Sequence, residues 1–150
     1  MKDEATGLKN LGSTVTNYQY KKPTPLILEA FENRAQNRDY EITLVSSEFT
    51  SLCPKTGQPD FAEITIAYSP NELCVETKSL KLYLFSFRQH GSFMEHIINK
   101  ICDDLVKLLK PKRLDVSGLF HARGGITIDV NATYTEAVNI PSKSKPRLLD

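Results

Sequence analysis

The spacing of apolar residues changes period twice along this chain, and that change restricts the fold more than any other feature. From Tyr40 to Val45, Tyr40, Ile42 and Leu44 alternate with Glu41, Thr43 and Val45, the period of two expected of a strand. The period returns from Phe61 to Tyr68, with Ala62, Ile64, Ile66 and Tyr68 on one face and Glu63 and Thr65 on the other. Ser69-Pro70-Asn71-Glu72 is a turn by composition, and Leu73 to Val75 is a short extended piece. The spacing then becomes helical. Leu80, Tyr83, Leu84 and Phe87 recur at three and four residues, and Gly91 stops the run. Ser92 with Glu95 has the spacing of a capping box that opens a second helix. The second stripe is Ile97, Ile98, Ile101, Leu105, Leu108 and Leu109, and Pro111 closes it. Strand spacing resumes near Leu114 to Phe120 and Ile126 to Tyr134, joined by the hairpin-like turn Ala122-Arg123-Gly124-Gly125.

The order strand, strand, helix, helix, strand, strand predicts an α+β fold, a mostly antiparallel sheet with its helices on one face. Such a sheet keeps two open edges, and an open edge is a template for pairing with another chain. The 150 residues suit one domain that needs no disulfide staples. That domain is expected over 25–135. A polar arm over 1–24, with Gly7, Gly12, Ser13 and Lys21-Lys22-Pro23, precedes it. A tail over 136–150, with Pro141, Ser142, Lys143 and Pro146, follows.

A formal net charge of +1 supplies no basic field, which argues against nucleic acid as the main ligand. The three cysteines, Cys53, Cys74 and Cys102, are odd in number and widely spaced. They predict free thiols in a reducing compartment. No CxxC pair is present, and His90, His96 and His121 are scattered, so no metal site is expected. Met1 to Asn10 is polar and the apolar runs are too short to span a bilayer, which predicts a cytoplasmic protein with neither signal peptide nor membrane span.

The chemistry-bearing candidates lie in two segments. Between the first two predicted strands runs Ser46 to Phe61, a long connection that places Cys53 and Asp60 seven residues apart around Pro54, Gly57 and Pro59. A thiolate that attacks an electrophilic carbon and a carboxyl group that moves the proton would need this pairing. Free cysteine is more often a small core hydrophobe; that reading suits Cys74 and Cys102, whereas Cys53 sits among turn formers. In the second segment, Lys78 and Lys81 share a face at a helix start, either as a solvated basic face or as a phosphate site. Glu76 is either a cap-region acid or a ligand contact. Glu95 is either the capping-box acid or an acceptor for ring N–H and amino donors of a purine-like base. Arg123 could meet a phosphate, although its glycine pair by itself says only that the turn is tight.

Leu52-Cys53-Pro54-Lys55-Thr56-Gly57-Gln58-Pro59-Asp60-Phe61 closely resembles the catalytic loop of the NADPH-dependent 7-cyano-7-deazaguanine reductases. Glu76-Thr77-Lys78-Ser79-Leu80-Lys81-Leu82-Tyr83 resembles the signature segment of that family, and the likeness extends through Phe93-Met94-Glu95 to the Arg123-Gly124-Gly125 turn. The resemblance implies the tunnelling fold, rings of subunits with active sites between them, and NADPH as cofactor. It implies Cys53 as the nucleophile that forms a thioimide with the nitrile carbon and Asp60 as proton donor. Val75, Glu76, Thr77, Met94 and Glu95 would hold the substrate, and Lys78, Lys81 and Arg123 would be cations for the cofactor. The product, a primary amine, would feed the queuosine base of transfer RNA. Thr77 stands where Ser or Leu is usual, and Met94 where many relatives carry His. A cyclohydrolase or pterin-type enzyme of the same fold, and a non-catalytic purine-binding ring module, are the competing readings. No GxGxxG segment is present, so a Rossmann unit is not expected to hold the cofactor.

Overall fold

The computed structural model describes residues 4–9, 11, 18, 20 and 22–137. Most of the expected arm and the expected tail beyond Ala137 lie outside the described residues. Four strands, β2 (Ile42–Leu52), β3 (Pro59–Ser69), β5 (Arg113–Arg123) and β6 (Ile126–Thr135), form one antiparallel sheet in the order β2-β3-β5-β6. A short strand β1 (Ala30–Glu32), which the sequence pattern did not signal, pairs with β4 (Leu73–Val75) in a separate two-stranded ladder. The helices α1 (Thr77–Phe85) and α2 (Met94–Leu109) lie between the two strand pairs in sequence. The expected order of elements is therefore present, with β2 and β6 as the free edges of the sheet.

One face of the sheet meets the helices. Ala62, Ile64, Ile66 and Tyr68 of β3 and Leu114, Val116 and Phe120 of β5 are buried against Ile97, Ile98, Ile101, Leu105 and Leu109 of α2. Gly118 is the point of closest approach, where a Cβ would stand 2.4 Å from Ile98 Cδ1. Tyr83, fully buried on α1, donates its hydroxyl to Asp104 Oδ2 of α2 at 2.7 Å, and Lys100 Nζ meets the same oxygen at 2.9 Å. That neutralises a carboxylate which burial alone would penalise heavily. Cys74 and Cys102 are buried and unpaired, as the apolar setting of each suggested.

Three sequence expectations need correction. First, β2 and β3 extend well past Val45 and start before Phe61, so the long connection shrinks to the six residues Cys53–Gln58. The pattern hid this because a bulge interrupts β2. Ser46 pairs with Ile64 and Phe49 with Ala62, so Ser47 and Glu48 together oppose Glu63. Second, Ser92 does not cap α2. Phe93 occupies the cap position with no side-chain hydrogen bond. The Ser92 N–H is used instead to reach Leu52 O, while the Leu52 N–H reaches His90 O. Third, Gly91 does not terminate α1, which ends at Phe85 with Ser86 as its cap. Gly91 lies beside the Cys53 loop, where a Cβ would stand 3.3 Å from Pro54 Cα. The helix that Pro111 was expected to close ends one residue earlier, on Lys110 in the left-handed conformation (φ 43°).

Candidate active site

Residue parity decides what the sheet presents at its β2–β3 turn. On β2 the inward series is Ile42, Leu44 and Ser46; after the two-residue bulge it continues as Phe49 and Ser51, which makes Cys53 the next member. On β3 the inward series starts with Asp60, 4% exposed. A second bulge, between Phe120 and Arg123, sets two residues of β5 against one of β6 and turns Arg123 to the inward side as well. Two bulges thus bring a thiol, a buried carboxylate and a guanidinium to one end of one face.

The contacts there are short. Arg123 Nε donates to Asp60 Oδ1 at 2.6 Å. The Cys53 loop closes on itself, with Cys53 N–H to Gln58 O at 2.8 Å and Gly57 N–H to Cys53 O at 3.0 Å. Gly57 takes a φ of 70°, the left-handed region where a side chain is disfavoured. In this turn the Thr56 hydroxyl and the backbone N–H groups of Thr56 and Lys55 face the sulfur. Together with Arg123 they hold the Cys53 thiol at about 6, well below the ordinary thiol value, and the Thr56 hydroxyl is the largest cause. Half-exposed and largely ionised near neutrality, Cys53 is the one cysteine of the chain suited to nucleophilic attack. Ser51, opposite Asp60 in the ladder, carries a buried hydroxyl with no partner among the described residues. The His90-Gly91-Ser92 connection docked on Leu52 brings the start of α2 to this end of the sheet. Met94 is buried in the core there and Glu95 is exposed in the first turn.

The other expected site residues lie elsewhere in the chain. Val75, whose N–H donates to the Tyr68 hydroxyl, leads into α1 near the far end of the sheet. Tyr68 and Asp60 stand about 26 Å apart along β3 at about 3.3 Å per residue. Glu76, buried, caps α1: its two carboxylate oxygens accept from the N–H groups of Lys78 and Ser79, each at 2.7 Å. Of the two readings open for this residue, the cap is visible within one chain. Thr77 and Lys81 line a groove between α1 and β2 that also holds Ser46, Ser47, Glu48 and Arg88 over an apolar floor of Leu44, Ile64, Leu80 and Leu84. Lys81 Nζ lies 5.7 Å from the Tyr18 ring centroid, and Lys78 sits half-buried one helical turn before Lys81. The site residues expected from the sequence therefore fall into two groups, Cys53, Asp60, Arg123, Met94 and Glu95 in one and Val75, Glu76, Thr77, Lys78 and Lys81 in the other. Sequence reasoning missed Thr56 as the main support of the thiolate. The signal available was a hydroxyl three residues after the cysteine in a glycine-closed turn.

Comparison with known proteins adds the family. The family described as QueF-like protein matches residues 59–139. A reductase of Bacillus pumilus, named NADPH-dependent 7-cyano-7-deazaguanine reductase, is 52% identical over 132 residues, 88% of this chain and 79% of that protein. The chain belongs to this family. Proteins of the same name from Streptococcus thermophilus and Bacillus subtilis are 54% and 53% identical, over 88% and 87% of the chain and 80% and 79% of their own lengths. The crystal structure of an archaeosine synthase QueF-Like in the apo form superposes with a TM-score of 0.60 at 17% identity, covering 65% of this chain and 96% of that one. That likeness carries the tunnelling fold of the QueF family to the strand and helix order seen here. Among the described residues, no group of three or more His, Cys, Asp or Glu could hold a metal ion, and no helix is long and apolar enough to cross a membrane.

Proposed function

We propose that this chain reduces the nitrile of 7-cyano-7-deazaguanine to the primary amine with NADPH, Cys53 being the nucleophile. The observation that carries the reading is the Cys53 turn, which lowers the thiol to about 6 at the end of the sheet face that also presents Asp60, in a chain 52–54% identical to reductases of that name. A nitrile accepts hydride poorly. Addition of the Cys53 sulfur converts it to a thioimide, whose C=N group is a far better acceptor, so one difficult step becomes easier ones. Asp60 stands where it can relay a proton to the nitrogen. Glu95, exposed at the start of α2, is offered to the ring N–H and amino donors of the deazaguanine, and Met94 packs beneath it.

The groove along α1 suits NADPH in its donor set, with Lys81 and Arg88 for phosphate and an apolar floor for a flat ring. When bound, the cofactor supplies hydride. Lys78 and Lys81 would hold it, and Arg123 is the third cation of that expectation. Val75, Glu76 and Thr77 lie with the lysines, away from Cys53. A ring of chains, in which free edge β2 of one copy meets β6 of the next, would let one chain's α1 serve a neighbour's Cys53. The product would enter queuosine biosynthesis, and the chain would act in the cytoplasm.

The test is to mix the protein with 7-cyano-7-deazaguanine and NADPH. Oxidation of about two equivalents of NADPH per nitrile is expected, since nitrile to amine takes two hydrides. Cys53→Ala should abolish it. Folded wild-type protein that consumes no NADPH with this substrate would overturn the reading.

A further inference from the structure

Among the described residues, Ser51, Ser79 and Ser86 are fully buried, and two of these three serines are bonded. Ser79 Oγ donates to Glu76 O at 2.7 Å, and Ser86 Oγ donates to Tyr83 O. The hydroxyl of Ser51 has no hydrogen-bond partner among the described residues. A buried hydroxyl left unpaired costs stability, and an alanine would fill the same space without that cost. Such an exception in a native fold calls for a reason, and a place in the chemistry is one.

The surroundings of Ser51 supply that reason. It stands directly opposite Asp60 in the β2–β3 ladder, and both side chains are on the inward face. Residues so paired have Cβ atoms about 4.5–5.5 Å apart, within reach of a hydrogen bond after one χ1 rotation. Cys53 is the next member of the same inward series. Asp60 also has room for a second partner. Arg123 Nε takes Oδ1 at 2.6 Å, and no described residue bonds Oδ2. We infer that Ser51 is a positioning residue of the proposed reaction, its hydroxyl turning to Asp60 as the carboxyl passes protons to the nitrile nitrogen. This rests on the function proposed above and adds a residue to it.

The chemistry asks for such a partner. Reduction of C≡N to CH2–NH2 takes two hydrides from two molecules of NADPH and two protons from solvent. A carboxyl that hands a proton on alternates between acid and carboxylate, whichever form it rests in. The Arg123 guanidinium has donors only, so it suits the carboxylate and cannot accept from the acid. A hydroxyl does both: it donates to the carboxylate and accepts from the acid. Ser51 can therefore hold the carboxyl in one orientation through the whole cycle, which a fixed cation cannot do. A hydroxyl already committed elsewhere, like those of Ser79 and Ser86, would be unable to turn.

The experiment compares full-length wild type with Ser51→Ala. Alanine is the smaller residue, so the variant should fold, with a Tm equal to or above that of wild type because no bond is lost. Iodoacetamide should label Cys53 at the wild-type rate. With 7-cyano-7-deazaguanine and NADPH, kcat should fall at least about tenfold. Both KM values should stay near those of wild type, the pattern of an interaction made only in the transition state. The ratio of kcat in H2O to that in D2O should rise, since proton transfer then limits turnover. An unchanged kcat with an unchanged isotope ratio would overturn the inference. So would a lower Tm, which would mean that the hydroxyl already has a structural partner in the resting protein. Slower labelling of Cys53 in step with the loss of kcat would assign Ser51 to the thiol and overturn it as well. Wild type that itself oxidises no NADPH would strike the proposed function, and this inference with it.

Discussion

The Thr56 hydroxyl is the foremost support of the Cys53 thiolate, and Thr56→Val removes it at nearly constant shape. The folded thiol midpoint is depressed to about 6. Wild-type reactivity should therefore be fully present above that midpoint and fall as pH drops through it. Three of the four supports survive in the variant, so the midpoint should rise by about one pH unit and stay below the free-thiol value of about 8.5. At about pH 6 the thiolate share would then fall from about one half to about one tenth, a fivefold loss. At about pH 9 both proteins are almost wholly ionised and the rates should converge. A thiolate of higher midpoint is also intrinsically the better nucleophile, so the variant should match or slightly exceed wild type there. Iodoacetamide labelling between about pH 5 and 9 reads this directly, since Cys74 and Cys102 are buried. Thr56 also accepts the Gln58 N–H at 3.3 Å, so a purely structural role predicts a different result, a loss of similar size at every pH. A pH-independent deficit, or no deficit at about pH 6, would refute the assignment of Thr56 to the thiolate.

Two further outcomes test the scaffold. Gly118→Ala should cost about 1–3 kcal/mol by overpacking, because its Cβ would stand 2.4 Å from Ile98 Cδ1 and 2.9 Å from Cγ1. Ile98→Val removes Cδ1 and should recover part of that loss in a double-mutant cycle by denaturant unfolding, whereas strict additivity would contradict the close approach. Tyr83→Phe deprives the buried Asp104 of one of its two partners. At about 1–3 kcal/mol and about 2–4 °C per kcal/mol for a chain of this size, calorimetry should show Tm lower by several degrees.

The element order was legible because each change of period spans enough residues to be counted. Tyr40–Val45 and Phe61–Tyr68 marked β2 and β3, and the stripe from Ile97 to Leu109 marked α2. The extent of β2 was not legible, because a bulge shifts the period by one residue and Ser46, Ser47 and Glu48 then read as loop. Ser92 misled for another reason. Capping-box spacing is a local rule, but its N–H is committed to Leu52 across the fold, a long-range contact that spacing cannot show. Glu76 illustrates the converse: its cap uses only the next three residues, and that reading was already open from the sequence. The thiol and its acid were legible as residue types seven apart. The pairing of Arg123 with Asp60 was not, because it depends on a register shift in a strand more than sixty residues later.

The two bulges tie chemistry to counting. Closing the Ser47-Glu48 bulge at constant chain length would give β2 an unbroken ladder against β3, with Glu48 opposite Ala62 and Phe49 opposite Phe61. That slip would rotate everything downstream to the opposite side, put Glu48 where Phe49 is buried and aim the sulfur away from its acid. At this chain length, an unbroken β2 ladder and the present placing of the sulfur are mutually exclusive. Loss of one residue from the step, by contrast, would regularise the ladder and still leave Phe49 opposite Ala62 and the sulfur on the inward side.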